Sequence, residues 1–313
     1  MHIIFFNIFA YSNLIQMNKQ FFIKRTILLL LAAISMIACS NRMSKETTEA
    51  TPSVIDTICN DKIPSLQNGD GMLIIGLTDI ENEMSADLFR GSYNDSLLNT
   101  LMPAGASPSA INVFLAMDSV DTILFDAGLG ADKGGQLIEQ MKKADVLPEM
   151  VTAVCLTHLH ADHIGGLLLD GQAAFPNAKL YLSKEEFEAW SDHGVLAEKN
   201  GLWKQVMQVY KGNIVTFCDG ERLFDGKVVA ESAPGHTPGH TIFVVDSICL
   251  IVGDLLHAQD LQLEHPQFCA RYDMDPTQAT ATRIRILNTL RRNGELFLAG
   301  AHCYEHFINL YED

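Results

Sequence analysis

The chain has 313 residues, of which 48% are hydrophobic and 19% charged, a composition typical of folded rather than disordered proteins. Its 38 Asp and Glu outnumber its 22 Lys and Arg, giving a formal net charge of -16. Nucleic-acid binding needs a basic surface, and the sequence contains no basic stretch of that kind, so we exclude a nucleic-acid partner. The seven Cys never form a CxxC pair, which argues against a zinc knuckle or a dense disulfide framework.

Residues 1–38 are predicted to be a signal peptide. A basic segment precedes an apolar run at residues 27–38, and this run is too short to span a bilayer comfortably. The run ends in Met36-Ile37-Ala38-Cys39, which resembles a bacterial lipobox whose Cys carries the lipid. We therefore expect export to the periplasm or outer membrane of a bacterium, with a lipid anchor as the only membrane contact. Secretory cleavage without lipidation stays open, and so does a start at Met17.

Residues 39–68 are predicted to form a flexible tether. They are rich in Ser, Thr, Glu, Asn and Pro and contain few apolar side chains, so they cannot build a core of their own. The remaining residues, 69–313, are enough for one large domain.

Short β-rich runs recur along this domain, separated by helical patterns. Residues 112–117 and 122–126 flank a polar turn and predict a hairpin. Apolar side chains at Leu137, Met141 and Ala144 predict an amphipathic helix over residues 133–143. The other predicted strands are 72–77, 151–156, 179–182, 228–230, 241–245, 248–252 and 296–299.

A last helix is predicted to begin at Asp275, which can accept hydrogen bonds from the first-turn amides, and to end before Gly294. Pro276 suits its first position. Strands and helices in both halves of the domain predict an α/β fold in which two sheets pack together with helices outside.

The most informative motif is His158-Leu159-His160-Ala161-Asp162-His163, directly after the predicted strand at 151–156. In an extended segment His158 and His160 project to the same side, so they can share one metal ion. Asp162 and His163, on the following turn, are then free to reach a second ion. Four ligand-type side chains at this spacing predict a metal site.

Three later side chains also follow predicted strands and complete a ligand set. His236 lies on the Gly/Pro-rich turn Pro234-Gly235-His236-Thr237-Pro238-Gly239-His240. Asp254 and His302 follow the strands at 248–252 and 296–299.

Taken in order, these motifs resemble the metallo-β-lactamase superfamily across residues 69–313. The resemblance implies an αββα sandwich of two mixed β-sheets with flanking helices. It also implies that Asp126 supports the site by orienting a ligand, and that His240 is structural. The implied zinc ligands are His158, His160 and His236 for one ion, Asp162, His163 and His302 for the other, and Asp254 as the bridge.

Two Zn²⁺ ions with a bridging carboxylate imply hydrolysis, because they hold a hydroxide nucleophile at neutral pH. Asp162 or Asp254 would move the proton to the leaving group. Binding of other divalent metals in place of zinc stays open. Cys155 and Cys303 are predicted to pack in the core rather than act as nucleophiles.

Within the superfamily the chain is most similar to methyl parathion hydrolase and the N-acyl homoserine lactonases. The similarity lies in Gly253-Asp254-Leu255-Leu256-His257, in Asp273-Met274-Asp275-Pro276 and in the segment 173–178; the sequence after His302 departs from that group. It implies a small neutral substrate, a lactone or an ester, with phosphotriesters as side substrates. The alternatives are a glyoxalase II-like thioesterase and a non-catalytic metal-binding lipoprotein.

Two irregular segments, 101–110 and 262–272, are predicted to wall the substrate pocket, the second through Phe268. His257 follows Asp254 by three residues, an offset at which the lactonases place a Tyr that polarises the substrate carbonyl. We therefore expect His257 to contact the substrate. The sequence leaves the oligomeric state open.

Overall fold

The structure of the chain, a computed structural model, describes residues 53–54 and 63–311. The predicted signal peptide, the alternative start at Met17 and the predicted lipid site at Cys39 lie outside the described residues. Within the described part, no helix has the length and apolar character that crossing a bilayer requires.

The secondary structure alternates strands with short helices. The described helices are α1 (Asp95–Leu101), α2 (Leu137–Lys143), α3 (Ala161–Ile164), α4 (Lys184–Ala189), α5 (Gly201–Val209), α6 (Gln259–Glu264) and α7 (Pro276–Leu290). The described strands are β1 (Ser53–Val54), β2 (Ser65–Gln67), β3 (Leu73–Ser85), β4 (Ala106–Met117), β5 (Thr122–Phe125), β6 (Ala153–Cys155), β7 (Leu168–Leu169), β8 (Gln172–Ala173), β9 (Lys179–Ser183), β10 (Ile214–Phe217), β11 (Arg222–Leu223), β12 (Val228–Ser232), β13 (Thr241–Val245), β14 (Cys249–Gly253), β15 (Phe297–Gly300) and β16 (Ile308–Asn309).

The larger sheet has the strand order β1-β2-β3-β4-β5-β6-β9-β10. Strands β1 to β5 pair antiparallel, and the predicted hairpin is confirmed in the pairing of β4 with β5. Strands β5, β6, β9 and β10 are parallel, so their carboxyl ends meet at one edge of the sheet.

The second sheet contains β11 to β16 in sequence order. Strand β13 is antiparallel to both β12 and β14, and β15 is parallel to β14. Strands β12, β14 and β15 therefore run in the same direction and end at the same edge.

Large side chains from both sheets form the core between them, including Phe114 and Phe125 from the first sheet and Phe243 and Ile251 from the second. Helices cover the outer faces: Trp203 of α5 belongs to a cluster on the first sheet. Ile286, Leu287 and Leu290 of α7 belong to a cluster on the second. The αββα sandwich predicted from the sequence is confirmed.

The capping prediction for the last helix is also confirmed. The Asp275 side chain accepts a hydrogen bond from the backbone N–H of Gln278 at 2.9 Å, and Pro276 is the first residue of α7. The helix ends at Leu290, four residues before the predicted Gly294 stop.

Three predicted boundaries are wrong. The domain begins inside the predicted tether 39–68, because Leu66 of β2 is fully buried and pairs with Ile74. Helix α2 begins at Leu137 rather than at residue 133, since Gly134 adopts a positive φ of 93°. Half of the predicted loop 101–110 belongs to β4, which extends because β3 continues beside it as far as Ser85.

Candidate metal centre

Four loops carry the predicted ligands and a fifth carries Asp126, and each loop leaves the carboxyl end of a strand. His158 to His163 follow β6, and Asp126 follows β5 in the first sheet. His236 follows β12, and Asp254 and His302 follow β14 and β15 in the second. Because these strand ends meet at one edge of each sheet, side chains distant in sequence converge.

The first ligand group contains His158, His160, His236 and Asp254, whose ligand atoms lie within 4.8 Å of one another. His160 Nδ1 lies 2.9 Å from Nε2 of both His158 and His236. Asp254 Oδ2 is 3.2 Å from His236 Nε2 and 3.9 Å from His158 Nε2.

The second ligand group contains Asp162, His163 and His302. Asp162 Oδ2 lies 3.5 Å from His302 Nε2 and 3.9 Å from His163 Nε2. The side chain of Asp162 is 30% exposed, whereas those of His163 and His302 are buried. The second ligand group is therefore accessible to solvent at Asp162.

Asp254 lies between the two groups and contacts both. Its Oδ1 is 2.9 Å from Nε2 of His163 in the second group. Its Oδ2 is 3.3 Å from His302 of that group and 3.2 Å from His236 of the first. One carboxylate thus presents separate oxygens toward both sets of ring nitrogens, the arrangement that a bridging ligand requires.

The donor set fits metal ions. Nitrogen and oxygen ligands about 2.0–2.1 Å from a tetrahedral zinc stand about 3.3 Å apart, close to the separations seen between these ligand atoms. In addition, His163 Nε2 and Asp254 Oδ1 are buried and form no hydrogen bond within the described residues. Buried polar atoms are rarely left without a partner, and a metal ion would satisfy both.

Burial makes the histidines of the first group poor bases. It lowers the pKa of His160 to about 4 and that of His236 to about 3, and it lowers the pKa of His158 well below its ordinary value. All three rings are therefore neutral at pH 7, the state in which imidazole binds a metal.

Carboxylates reverse this effect in the second group. Burial alone would lower the pKa of His302, but the charges of Asp254 and Asp162 raise it to about 9. Asp254 and Asp126 likewise hold the pKa of His163 well above its ordinary value despite burial. Burial also opposes ionisation of Asp254, yet the surrounding histidines hold its pKa well below the usual range.

Hydrogen bonds fix the tautomers of three ligand histidines. His163 Nδ1 donates to Asp126 at 2.7 Å, and His302 Nδ1 donates to the carbonyl of Ala110 at 2.9 Å. His236 Nδ1 donates to Asp273 at 3.1 Å. In the neutral ring, which is the form that binds a metal, each bond leaves the Nε2 lone pair facing the centre. Asp126 is therefore placed to orient a ligand, the role that the resemblance implies.

His240 lies outside both ligand groups. Its Nδ1 donates to the carbonyl of Ala233 at 3.0 Å, and its Nε2 accepts from the backbone N–H of Asp254 at 3.1 Å. Both ring nitrogens are therefore occupied, and the ring holds the main chain of the bridging residue in place.

The two predicted substrate contacts differ in position. His257 is fully buried within the centre. Its ring stacks on that of His302 with centroids 5.5 Å apart, and neither of its ring nitrogens forms a hydrogen bond with a described residue. Phe268 is also fully buried, but it packs in a cluster behind the surface, edge-on to Tyr93. Neither His257 nor Phe268 has exposed surface, and both substrate contacts stay predictions.

A buried ion pair that the sequence did not reveal supports the first group. Arg283 is 1% exposed; it donates to Asp273 at 3.0 Å and to the carbonyl of Leu255 at 2.7 Å. Asp273, in turn, accepts from His236. Asp273 is part of a segment singled out for its resemblance, but Arg283 carries no sequence signal that separates it from other helix residues.

The cysteines near the ligands are not thiolates. Burial raises the pKa of Cys303 to about 12 and that of Cys155 well above its ordinary value. Both side chains are fully buried, so the predicted packing role is confirmed.

Comparison with known proteins places the chain in a family. A sequence model described as the metallo-beta-lactamase superfamily matches residues 106–298, more than half of the chain. No curated protein sequence matches the chain at a significant level.

Solved structures share the fold over most of the chain. The hydrolase AbOPH of the beta lactamase superfamily is 27% identical, with a TM-score of 0.71, covering 80% of this chain and 94% of its own. The dizinc quorum-quenching lactonase AidC is 24% identical, with a TM-score of 0.69, covering 78% and 92%. A probable metal-dependent hydrolase from Staphylococcus aureus is 19% identical, with a TM-score of 0.64, covering 75% and 90%. The chain belongs to the metallo-beta-lactamase superfamily and is a metal-dependent hydrolase.

Proposed function

We propose that this chain is an exported dinuclear zinc hydrolase that cleaves a neutral lactone or ester, with phosphotriesters as side substrates. The observation that carries this proposal is the position of Asp254, whose two oxygens face the two ligand groups. Export rests on the sequence of residues 1–39 alone.

Zinc ions bound by the two groups would supply a hydroxide at neutral pH and draw electron density from a carbonyl or phosphoryl oxygen. Side chains of the protein would orient the ligands and move the proton. Asp126 and Asp273 keep the rings of His163 and His236 oriented. Asp162 is partly exposed beside His302, so its carboxylate is placed to take up a proton and return it to the leaving group.

The charges around the centre favour a neutral substrate. The net charge of -16 repels polyanions. The cation beside the ligand groups, Arg283, is buried and already donates to Asp273 and to backbone carbonyls. An anionic substrate would therefore find no free clamp in Arg283, whereas a neutral ester needs none.

The similar solved structures are consistent with this substrate class. AidC is described as a lactonase and was solved with a product, N-hexanoyl-L-homoserine. Another N-acyl homoserine lactone hydrolase was solved with the same product at its catalytic metal centre. These likenesses support the choice of lactones as the first substrates to test.

A substrate panel tests the proposal. We expect zinc-loaded protein to cleave acyl homoserine lactones or simple aryl esters with higher kcat/KM than a glutathione thioester, a β-lactam or an aryl phosphotriester. A lead of tenfold or more for the thioester or the β-lactam, about 1.4 kcal/mol in transition-state binding, would assign another substrate class. No turnover of any substrate by fully loaded protein would favour the metal-binding lipoprotein.

His257 is expected to steady the polarised carbonyl oxygen of the substrate. It is fully buried, and its Nε2 lies 3.3 Å from Asp254 Oδ2; within the described part of the chain, neither ring nitrogen has a hydrogen-bond partner. A ring beside the exposed Tyr272 can therefore donate to a substrate that enters from that side.

Replacing His257 with Phe is expected to lower kcat for lactones about tenfold, because one hydrogen bond to developing charge is lost. Zinc content measured by elemental analysis should stay at the parent value. His193→Phe, at an exposed histidine outside both ligand groups, is the matched control. Unchanged kcat with a lower thermal midpoint would indicate that His257 is purely structural.

A further inference from the structure

Glu186 of α4 is 1% exposed and reaches the loop that carries two ligands of the first group. Its Oε1 accepts from the backbone N–H of Leu159, which stands between His158 and His160, at 3.1 Å. The same oxygen accepts from Trp190 Nε1 at 2.7 Å. The Trp190 ring lies edge-on to His160 with centroids 5.8 Å apart, so Glu186 restrains this ligand from two sides.

The second oxygen of Glu186 reaches the turn that carries His236. Oε2 accepts from the Thr237 hydroxyl at 2.8 Å and from the backbone N–H of Gly239 at 3.0 Å. The turn also approaches α4 very closely: a Cβ on Gly239 would lie 2.0 Å from the backbone nitrogen of Glu186. The Gly at this position lets the carboxylate reach both of its donors.

These four hydrogen bonds require an acceptor at every position. An ionised carboxylate accepts through both oxygens, whereas a protonated acid or an amide would turn a donor toward one of the four donors. Burial raises the pKa of Glu186, and its hydrogen bonds oppose that rise. Glu186 thus joins the loop that carries His158 to the turn that carries His236. These two residues are 78 positions apart, and they follow strands of different sheets.

The ligands of the second group have supports of their own. His163 is held by Asp126, and His302 is held by the carbonyl of Ala110. The four hydrogen bonds of Glu186 end on residues that neighbour the first group instead.

We propose that Glu186 is a positioning residue that fixes the loop at His158 and His160 against the turn at His236. It assembles the first ligand group in the metal-free protein, so that zinc meets three rings already in place. This role rests on the proposed two-metal centre, but not on the identity of the substrate.

The test measures zinc affinity by chelator competition in two backgrounds, with zinc alone as the probe. His302→Ala removes a ligand of the second group, and His160→Ala removes a ligand of the first. Adding Glu186→Gln should weaken the ion retained in the His302→Ala background about tenfold, a typical loss when a partner of a ligand is removed. In the His160→Ala background we expect a change below about threefold.

Glu185→Gln, at an exposed position on the same helix, is the matched control and should leave zinc affinity unchanged. Thr237→Val removes one donor and keeps Glu186; it should weaken the same ion, which tests the role even if Glu186→Gln does not fold. Equal weakening in both backgrounds, or no weakening, would overturn the positioning role. A parent chain that binds fewer than two zinc ions would instead overturn the two-metal centre on which the role rests.

Discussion

Replacing Asp254 with Ala is expected to lower kcat/KM on the order of a thousandfold and to loosen both metal ions, because a shared ligand serves both groups. Asp254 is buried, and its carboxylate contacts His163 and His302 of the second group as well as His236 of the first. Among the described residues, Asp254 carries the only negative charge that faces all three of these rings at 3.3 Å or less, and the substitution removes it.

Elemental analysis after dialysis, together with kcat/KM, measures this effect. Asp254→Asn keeps the size of the side chain and removes its charge, so we expect an intermediate loss of zinc. Asp132→Ala, at an exposed position outside both groups, should change neither quantity. An Asp254→Ala protein that retains two zinc ions per chain would refute the bridging role.

The candidate ligands could be recognised in the sequence because their signal is local. His158, His160, Asp162 and His163 lie within six residues, so their spacing alone restricts what they can bind. His236, Asp254 and His302 each follow an apolar run, and parallel strand ends bring such positions together. The pattern of apolar residues therefore predicted the strands, and the ends of the predicted strands indicated where the candidate ligands lie.

The residues that hold the ligands could not be predicted in this way. Glu186 lies 27 positions from Leu159 and 53 from Gly239, and a Glu early in an amphipathic helix ordinarily faces solvent. Arg283 likewise lies on α7 among ordinary polar residues, yet it is buried against Asp273. Only the packing of helices on the sandwich turns these charges inward.

The predicted boundaries of the domain and of β4 were wrong where pairing with a neighbouring strand outweighed the local amino-acid composition. Ser65–Gln67 has the composition of a linker. It nevertheless forms a strand, because it pairs with the edge of β3 and Leu66 is buried in the core. Residues 106–110 contain Ser, Pro and Ala, which predict a loop, but the long β3 beside them supplies partners for an extended strand. Strand propensity is weak compared with the effect of an available edge.

Asp162 differs from Asp254 in one respect that decides its expected chemistry. Its side chain is 30% exposed, whereas that of Asp254 is 4% exposed. A carboxylate that contacts both the second ligand group and solvent can bind a metal and still exchange a proton with a leaving group. Asp162 is therefore the better candidate for proton transfer.

Replacing Asp162 with Asn is expected to lower kcat for alkyl esters about 10²–10⁴-fold, the usual contribution of general acid–base catalysis. The amide keeps one oxygen near His302 but cannot take up a proton. Aryl esters with acidic phenol leaving groups need no protonation, so their kcat should fall much less. The measurement is a plot of kcat against leaving-group pKa for parent and variant, at equal zinc content. Parallel lines would mean that Asp162 serves only as a ligand, because loss of metal polarisation alone slows every ester alike, whereas a steeper slope in the variant is the specific consequence of a missing proton donor.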